Sequence, residues 1–239
     1  MTTDDTSHRP PEDLDHVMQG ASTSLAEMDY LACEQRCLEA LAIARRRGDW
    51  SNYARVLLPL QEARRQRRMI AVEGTIRLGT TDLGEPSAQW LDRFDAGCIV
   101  LTHPHDRATS RRLHETARRA SRHVEILFCD NAASAKQWTL RTFDGPESEA
   151  VIPAPPGPVL DRWLEPQGAA MRDRTAADWF LEACERIGDA VLTGVPQPSG
   201  RSGLEALEQC LVAVTDHEIL HQTLGRVARE MAVGGTASE

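Results

Sequence analysis

Residues 98–130, CIVLTHPHDRATSRRLHETARRASRHVEILFCD, constrain the fold of this chain more than any other stretch. Ile99-Val100-Leu101 and Val124-Glu125-Ile126-Leu127-Phe128 are short apolar or β-branched runs bounded by polar residues, the pattern of strands. Between them Asp106 stands where it can cap a helix over about 107–122, with Leu113, Ala117 and Ala120 at helical spacing. Strand, helix and strand in this order predict a right-handed crossover with parallel strands. In such units ligands sit beyond the carboxyl ends of the strands. Those ends carry Thr102-His103-Pro104-His105-Asp106 and Cys129-Asp130. His103, His105, Asp106, Arg107 and Asp130 are therefore the candidate ligand-binding residues.

Helical periodicity flanks this unit on both sides. On the N-terminal side, residues 1–22 are polar and acidic with Pro10-Pro11, and a disordered tail is expected. Leu25, Met28, Leu31, Ala32, Cys37, Leu38, Leu41 and Ala44 then give a helix, which Gly48-Asp49 interrupts. A second helix is expected over 52–68, bent at Pro59. The helical hairpin occupies 23–68 and the α/β segment 69–153. Within the latter, Ile70, Val72, Ile76 and Leu78 alternate as in a strand, and 87–94 suits a short helix. Residues 137–143 suit a strand with Trp138 and Leu140 on one face, and 150–152 a short edge strand. The prolines from Pro153 to Pro158 predict a linker over 154–174. The last segment, 175–234, reads as helices opened by capping boxes at Thr175/Asp178, Ser202/Glu205 and Thr215/Glu218. Trp179 and Phe180 head an apolar stripe and are expected to be buried.

The stretch MDYLACEQRCLEALAIARRRGDWSNYARVLLPL resembles tetratricopeptide-type repeats. Asp29-Tyr30 stands where the second helix of a repeat opens, Ala40-Leu41 where small and apolar residues pack inside, and Gly48-Asp49 where the chain turns into the next repeat. About one and a half repeats are covered, near 28–67, with a weaker echo at 203–232. The resemblance implies helical hairpins whose surfaces bind peptides or other proteins. Too few repeats are present to stand alone, so the hairpin must dock on the α/β segment. The fold expected is α/β: a small, mostly parallel sheet with a βαβ core, flanked by tetratricopeptide-like helical hairpins.

Charge and motifs narrow the function classes. Thirty-six acids against 27 bases give a net charge of −9, which argues against bulk nucleic-acid binding. Two arginine clusters, at Arg45–Arg47 with Arg64, Arg65, Arg67 and Arg68, and along 107–122, read as solvated faces helped by helix dipoles. No apolar run reaches the roughly 20 residues of a membrane span, and the N-terminus has no signal-peptide core, so a cytoplasmic protein is expected. The six cysteines lie on or beside apolar faces and read as buried thiols, Cys33 and Cys37 sharing one helix face.

Three motifs carry the chemical alternatives. His103-Pro104-His105-Asp106 partly resembles the loops of metallo-β-lactamases and of glucosaminyl-phosphatidylinositol-type deacetylases. Arg107 and Ala108 stand where the first family needs Asp and His. His105 and Arg107 stand where the second needs acids. His217-Glu218-Ile219-Leu220-His221 matches the His-Glu-x-x-His signature of zinc proteases. A start in the first helical turn, and the absence of His or Asp among the 18 residues that follow, disfavour His217, Glu218 and His221 as a metal site. No phosphate loop or nucleophile elbow is present. The leading expectation is a non-enzymatic interaction or regulatory protein, with another protein as partner and no cofactor. The alternatives are a small-molecule or phosphate-binding enzyme using the strand-end residues and, third, a metal-dependent hydrolase.

Overall fold

Aspartates decide where the N-terminal helices begin. The computed structural model describes residues 13–78, 91, 96–130, 136–163 and 170–236. Helix α1 spans Leu14–Ala26, its first turn capped by the Asp13 side chain. This corrects the expectation of disorder for 13–22; residues 1–12 lie outside the described residues. The physical reason is a stripe at helical spacing, Leu14, Val17, Met18, Ala21 and Leu25, that packs into the core despite the polar composition around it. Asp29 then caps α2 (Tyr30–Arg47), and Asp49 caps α3 (Trp50–Glu73). Gly48, at φ 68°, supplies the left-handed residue that ends α2. Helix α3 therefore runs five residues past the expected stop and takes Ile70 and Val72 out of the predicted strand. Pro59 sits inside it without ending it.

Among the described residues the sheet has six strands, in the order β5-β4-β3-β2-β1-β6. These are β1 (Thr75–Leu78), β2 (Ala96–Leu101), β3 (His123–Cys129), β4 (Gln137–Arg141), β5 (Glu149–Pro153) and β6 (Ala170–Met171). β1, β2 and β3 are parallel, with Ile99 opposite Ile126, and the remaining pairings are antiparallel. Helix α4 (Arg107–Arg119) links β2 to β3, one turn shorter than its periodicity suggests. The α/β class and the central β2–α4–β3 unit are as expected. Most of the short helix expected at 87–94 falls outside the described residues.

Strand alternation sorts two cores. Ile99, Leu101, Val124, Ile126 and Phe128 face α4 and pack on Leu113, Ala117 and Leu91. Cys98, Val100, Leu127, Cys129, Trp138 and Leu140 face the opposite way, into a larger core shared by α1–α3 and the C-terminal helices. Those helices are α6 (Arg174–Thr193), α7 (Gly200–Ala213) and α8 (Glu218–Thr236), and α8 packs along α3. N- and C-terminal helices thus form one layer on one face of the sheet.

Over 154–163 the proline-rich segment is packed rather than a linker, and 164–169 lie outside the described residues. Residues Gly157–Trp163 form helix α5, and Val159 and Trp163 are buried. Trp163 lies 4.3 Å, ring to ring, from Trp138 of β4, and Trp179 of α6 approaches Trp138 edge-on at 5.1 Å. Each such aromatic pair adds about 0.5–1.5 kcal/mol beyond the area it buries. Trp179 also donates its indole N–H to the Pro153 carbonyl at 3.2 Å, and Phe180 is fully buried. The expected capping boxes do not form. Asp173 takes the amides of Thr175 and Ala176 instead, because an upstream carboxylate accepts better than the Thr175 hydroxyl. Glu205 is drawn to Arg45 at 3.0 Å, and Glu218 accepts from Gln222.

Candidate functional site

The five residues singled out at the strand ends do converge. His103, His105, Asp106, Arg107 and Asp130 line one open cleft together with Phe128, Arg141 and Glu147. Strand pairing brings the additions: Arg141 stands opposite Phe128 across β3 and β4. The charges in this cleft are already matched. Arg141 Nε lies 2.7 Å from Asp130 Oδ2, out of line for a hydrogen bond, and its Nη2 lies 3.0 Å from Glu149. Arg107 pairs with Glu147 at 3.0 Å. Asp106 caps α4, accepting from the Thr109 hydroxyl and amide, and these bonds hold its carboxyl below the usual value. Carboxylates outnumber guanidiniums here, which leaves little positive charge for a phosphate. Among the described residues, no three His, Cys, Asp or Glu side chains are placed to hold a metal ion.

His217 and His221 are buried in different hydrogen bonds. His221 Nε2 meets the Thr215 carbonyl at 3.0 Å, so that nitrogen carries the proton. His217 Nε2 lies 3.2 Å from Asp189 Oδ1. Gly188 makes room for the His217 ring, since a Cβ there would come within 2.3 Å of it. Burial pushes His221 down to about 4, with the Arg64 charge adding to the effect. Glu218 is exposed on the first turn of α8. The two imidazoles thus join α8 to α6 and to the turn before it.

A buried ionic cluster is the feature that the sequence reading missed. Glu34 of α2 is sealed in, yet it accepts from Arg64 Nε at 2.8 Å, from Arg67, and from Arg118 Nη2 at 3.2 Å. Burial alone raises the Glu34 carboxyl; the guanidiniums of Arg64, Arg67 and Arg118 outweigh it and bring it down to about 2. Arg64 also donates to the Thr215 carbonyl at 2.8 Å, and Arg68 pairs with Asp216 and, at 3.2 Å, with Glu185. The expectation of solvated arginines therefore fails for Arg64, Arg67 and Arg68, all buried. A signal was present: these arginines and Glu34 occupy core positions of stripes that also carry Leu60, Ala63, Ala71, Cys37 and Leu41. The cluster joins α2, α3, α4 and the turn before α8.

Beside this cluster opens a groove of about 500 Å³. Its walls are Leu38 and Leu41 of α2, Leu60 of α3, and Leu211 and Val212 of α7. Leu38 is 37% and Val212 46% exposed, so both rims present apolar surface to solvent. One end holds Tyr53, whose hydroxyl donates to Glu208 at 2.7 Å, and Arg45, which pairs with Glu208 and Glu205. Burial and that hydrogen bond raise the Tyr53 phenol above its usual value. The other end holds Arg64, His114 and Arg118. Burial pushes the His114 imidazole down. Comparison of the chain with protein-family models, with curated proteins and with solved structures finds no match.

Proposed function

We propose that the protein is a non-catalytic, cytoplasmic interaction module that receives an apolar segment of a partner protein in the groove between α2, α3 and α7. The observation that carries this reading is the pairing of Leu38 and Val212, exposed on opposite rims of a groove whose floor is apolar. A groove of this size admits a few side chains of a helix or extended peptide, with polar groups at both ends to set register. The resemblance of residues 28–67 to tetratricopeptide-type repeats supports the same reading, since helical hairpins of that family bind peptides. No described helix is long and apolar enough to cross a membrane.

The strand-end cleft is the rival seat, and its paired charges offer an anionic substrate less than its residue types suggest. The two are separated by selecting peptides from a random display library on the purified full chain. Selected peptides are expected to lose at least about tenfold in affinity on Val212→Glu, equivalent to about 1.4 kcal/mol, and to keep it on Leu58→Glu, an exposed residue of α3 outside the groove. Failure to enrich any peptide, or equal binding by both variants, contradicts the proposal.

A further inference from the structure

The six cysteines are all buried and none is in a disulfide, and two of them touch. Cys33 and Cys37 are four apart on α2, and their sulfurs lie 4.0 Å from each other. A disulfide suits them poorly. Residues at this helical spacing hold their Cβ atoms about 5–6 Å apart, whereas a disulfide needs about 3.5–4.5 Å. A bridging atom suits them better. Two zinc–sulfur bonds of about 2.3 Å would span at most about 4.6 Å, so sulfurs 4.0 Å apart stand within the span of two metal–thiolate bonds. Zinc would ask for further ligands, and no third His, Cys, Asp or Glu joins them among the described residues. A soft monovalent ion is satisfied by two thiolates.

We propose that Cys33 and Cys37 form a two-thiolate site for a soft monovalent metal ion, Cu(I) by its chemistry. Binding breaks two S–H bonds, forms two Cu–S bonds and releases two protons. No electron is transferred, and the site is left with a charge of −1. Arg64 and Arg67 of α3 and Arg118 of α4 gather around Glu34, the chain neighbour of Cys33, and place positive charge close to that site. In the metal-free protein the Cys33 thiol donates to the Pro59 carbonyl of α3 at 3.8 Å. Entry is from the groove between α1 and α3, which Cys37 lines together with Met18, Leu25 and Pro59.

The test titrates the reduced full chain with Cu(I) in ascorbate against the chromogenic chelator bicinchoninate. One Cu(I) is expected to be retained per chain, with two protons released and the melting temperature raised. Retention is expected to vanish in Cys33→Ser and in Cys37→Ser and to survive in Cys98→Ser and Cys184→Ser. Should a Ser variant fail to melt cooperatively, copper X-ray absorption on the unaltered chain decides: a shell of two sulfur neighbours, without nitrogen or oxygen, is expected. No retained copper, retention that survives in folded Cys33→Ser and Cys37→Ser chains, or a shell of nitrogen and oxygen overturns the site.

Discussion

Two regions of this molecule gather arginines and carboxylates, and they behave oppositely. At the strand ends, Arg107 and Arg141 face Asp130, Glu147 and Glu149 in the open, where water screens each pair. Around Glu34, Arg64 and Arg67 are cut off from water, and each charge depends on its neighbour. The same residue types give a replaceable surface in one place and a lock between helices in the other. The exposed region looks like an active site in sequence because histidines and acids crowd one loop. The buried region looks like surface because arginines rarely go inside. What separates them is the register of each charge against the apolar stripe of its helix.

Removing Glu34 is the sharpest way to break the contrast. Glu34→Ala leaves Arg64 and Arg67 buried without their counter-charge, and urea unfolding is expected to show a loss of about 3–5 kcal/mol. A loss below about 1 kcal/mol would mean that water reaches the cluster.

Acid titration separates the contributions by pH. The folded value of His221 lies below the usual 6.5, so on acidification the unfolded chain takes up its proton first. Stability from this group is therefore present above about 6.5 and is lost as the pH falls toward about 4. For Glu34, lowered from 4.5 to about 2, the loss runs through that lower window. The first window is expected to amount to about 3–4 kcal/mol, because each tenfold difference in proton affinity between folded and unfolded chains is worth about 1.4 kcal/mol. His221→Gln should weaken the pH dependence of unfolding between 6.5 and 4, where the lowered His114 still contributes, and leave the lower window in place. An unchanged slope in that variant would remove His221 from the account.

The exposed region should give the smallest response. Asp130→Ala is expected to change stability by less than about 1 kcal/mol, with the remaining change screened by salt. A loss of several kcal/mol in urea unfolding would mean that the cleft is as rigidly built as the buried cluster.

Much of the architecture was legible because local signals agreed with one another. Asp106 caps α4, and the alternation of Ile99 and Leu101 against Cys98 and Val100 sorts the two faces of β2. Composition misleads in two segments where spacing does not. Leu14, Met18, Ala21 and Leu25 form a helical stripe within a polar segment, and Val159 and Trp163 anchor a segment rich in proline. The five strand-end residues line one cleft because they share two adjacent loops of a βαβ unit. The groove was not legible: Leu38 and Val212 lie 174 positions apart and meet only because α7 returns beside α2.

The central claim is that this groove, and not the strand-end cleft, is where a partner binds. It is tested most directly by recording amide NMR spectra of the full chain with and without a selected peptide. The account predicts that the amides of Leu38, Ala42 and Val212 shift while those of His103, His105 and Arg107 stay in place. Shifts confined to residues 103–107 and Asp130, with Leu38 and Val212 unmoved, would contradict it.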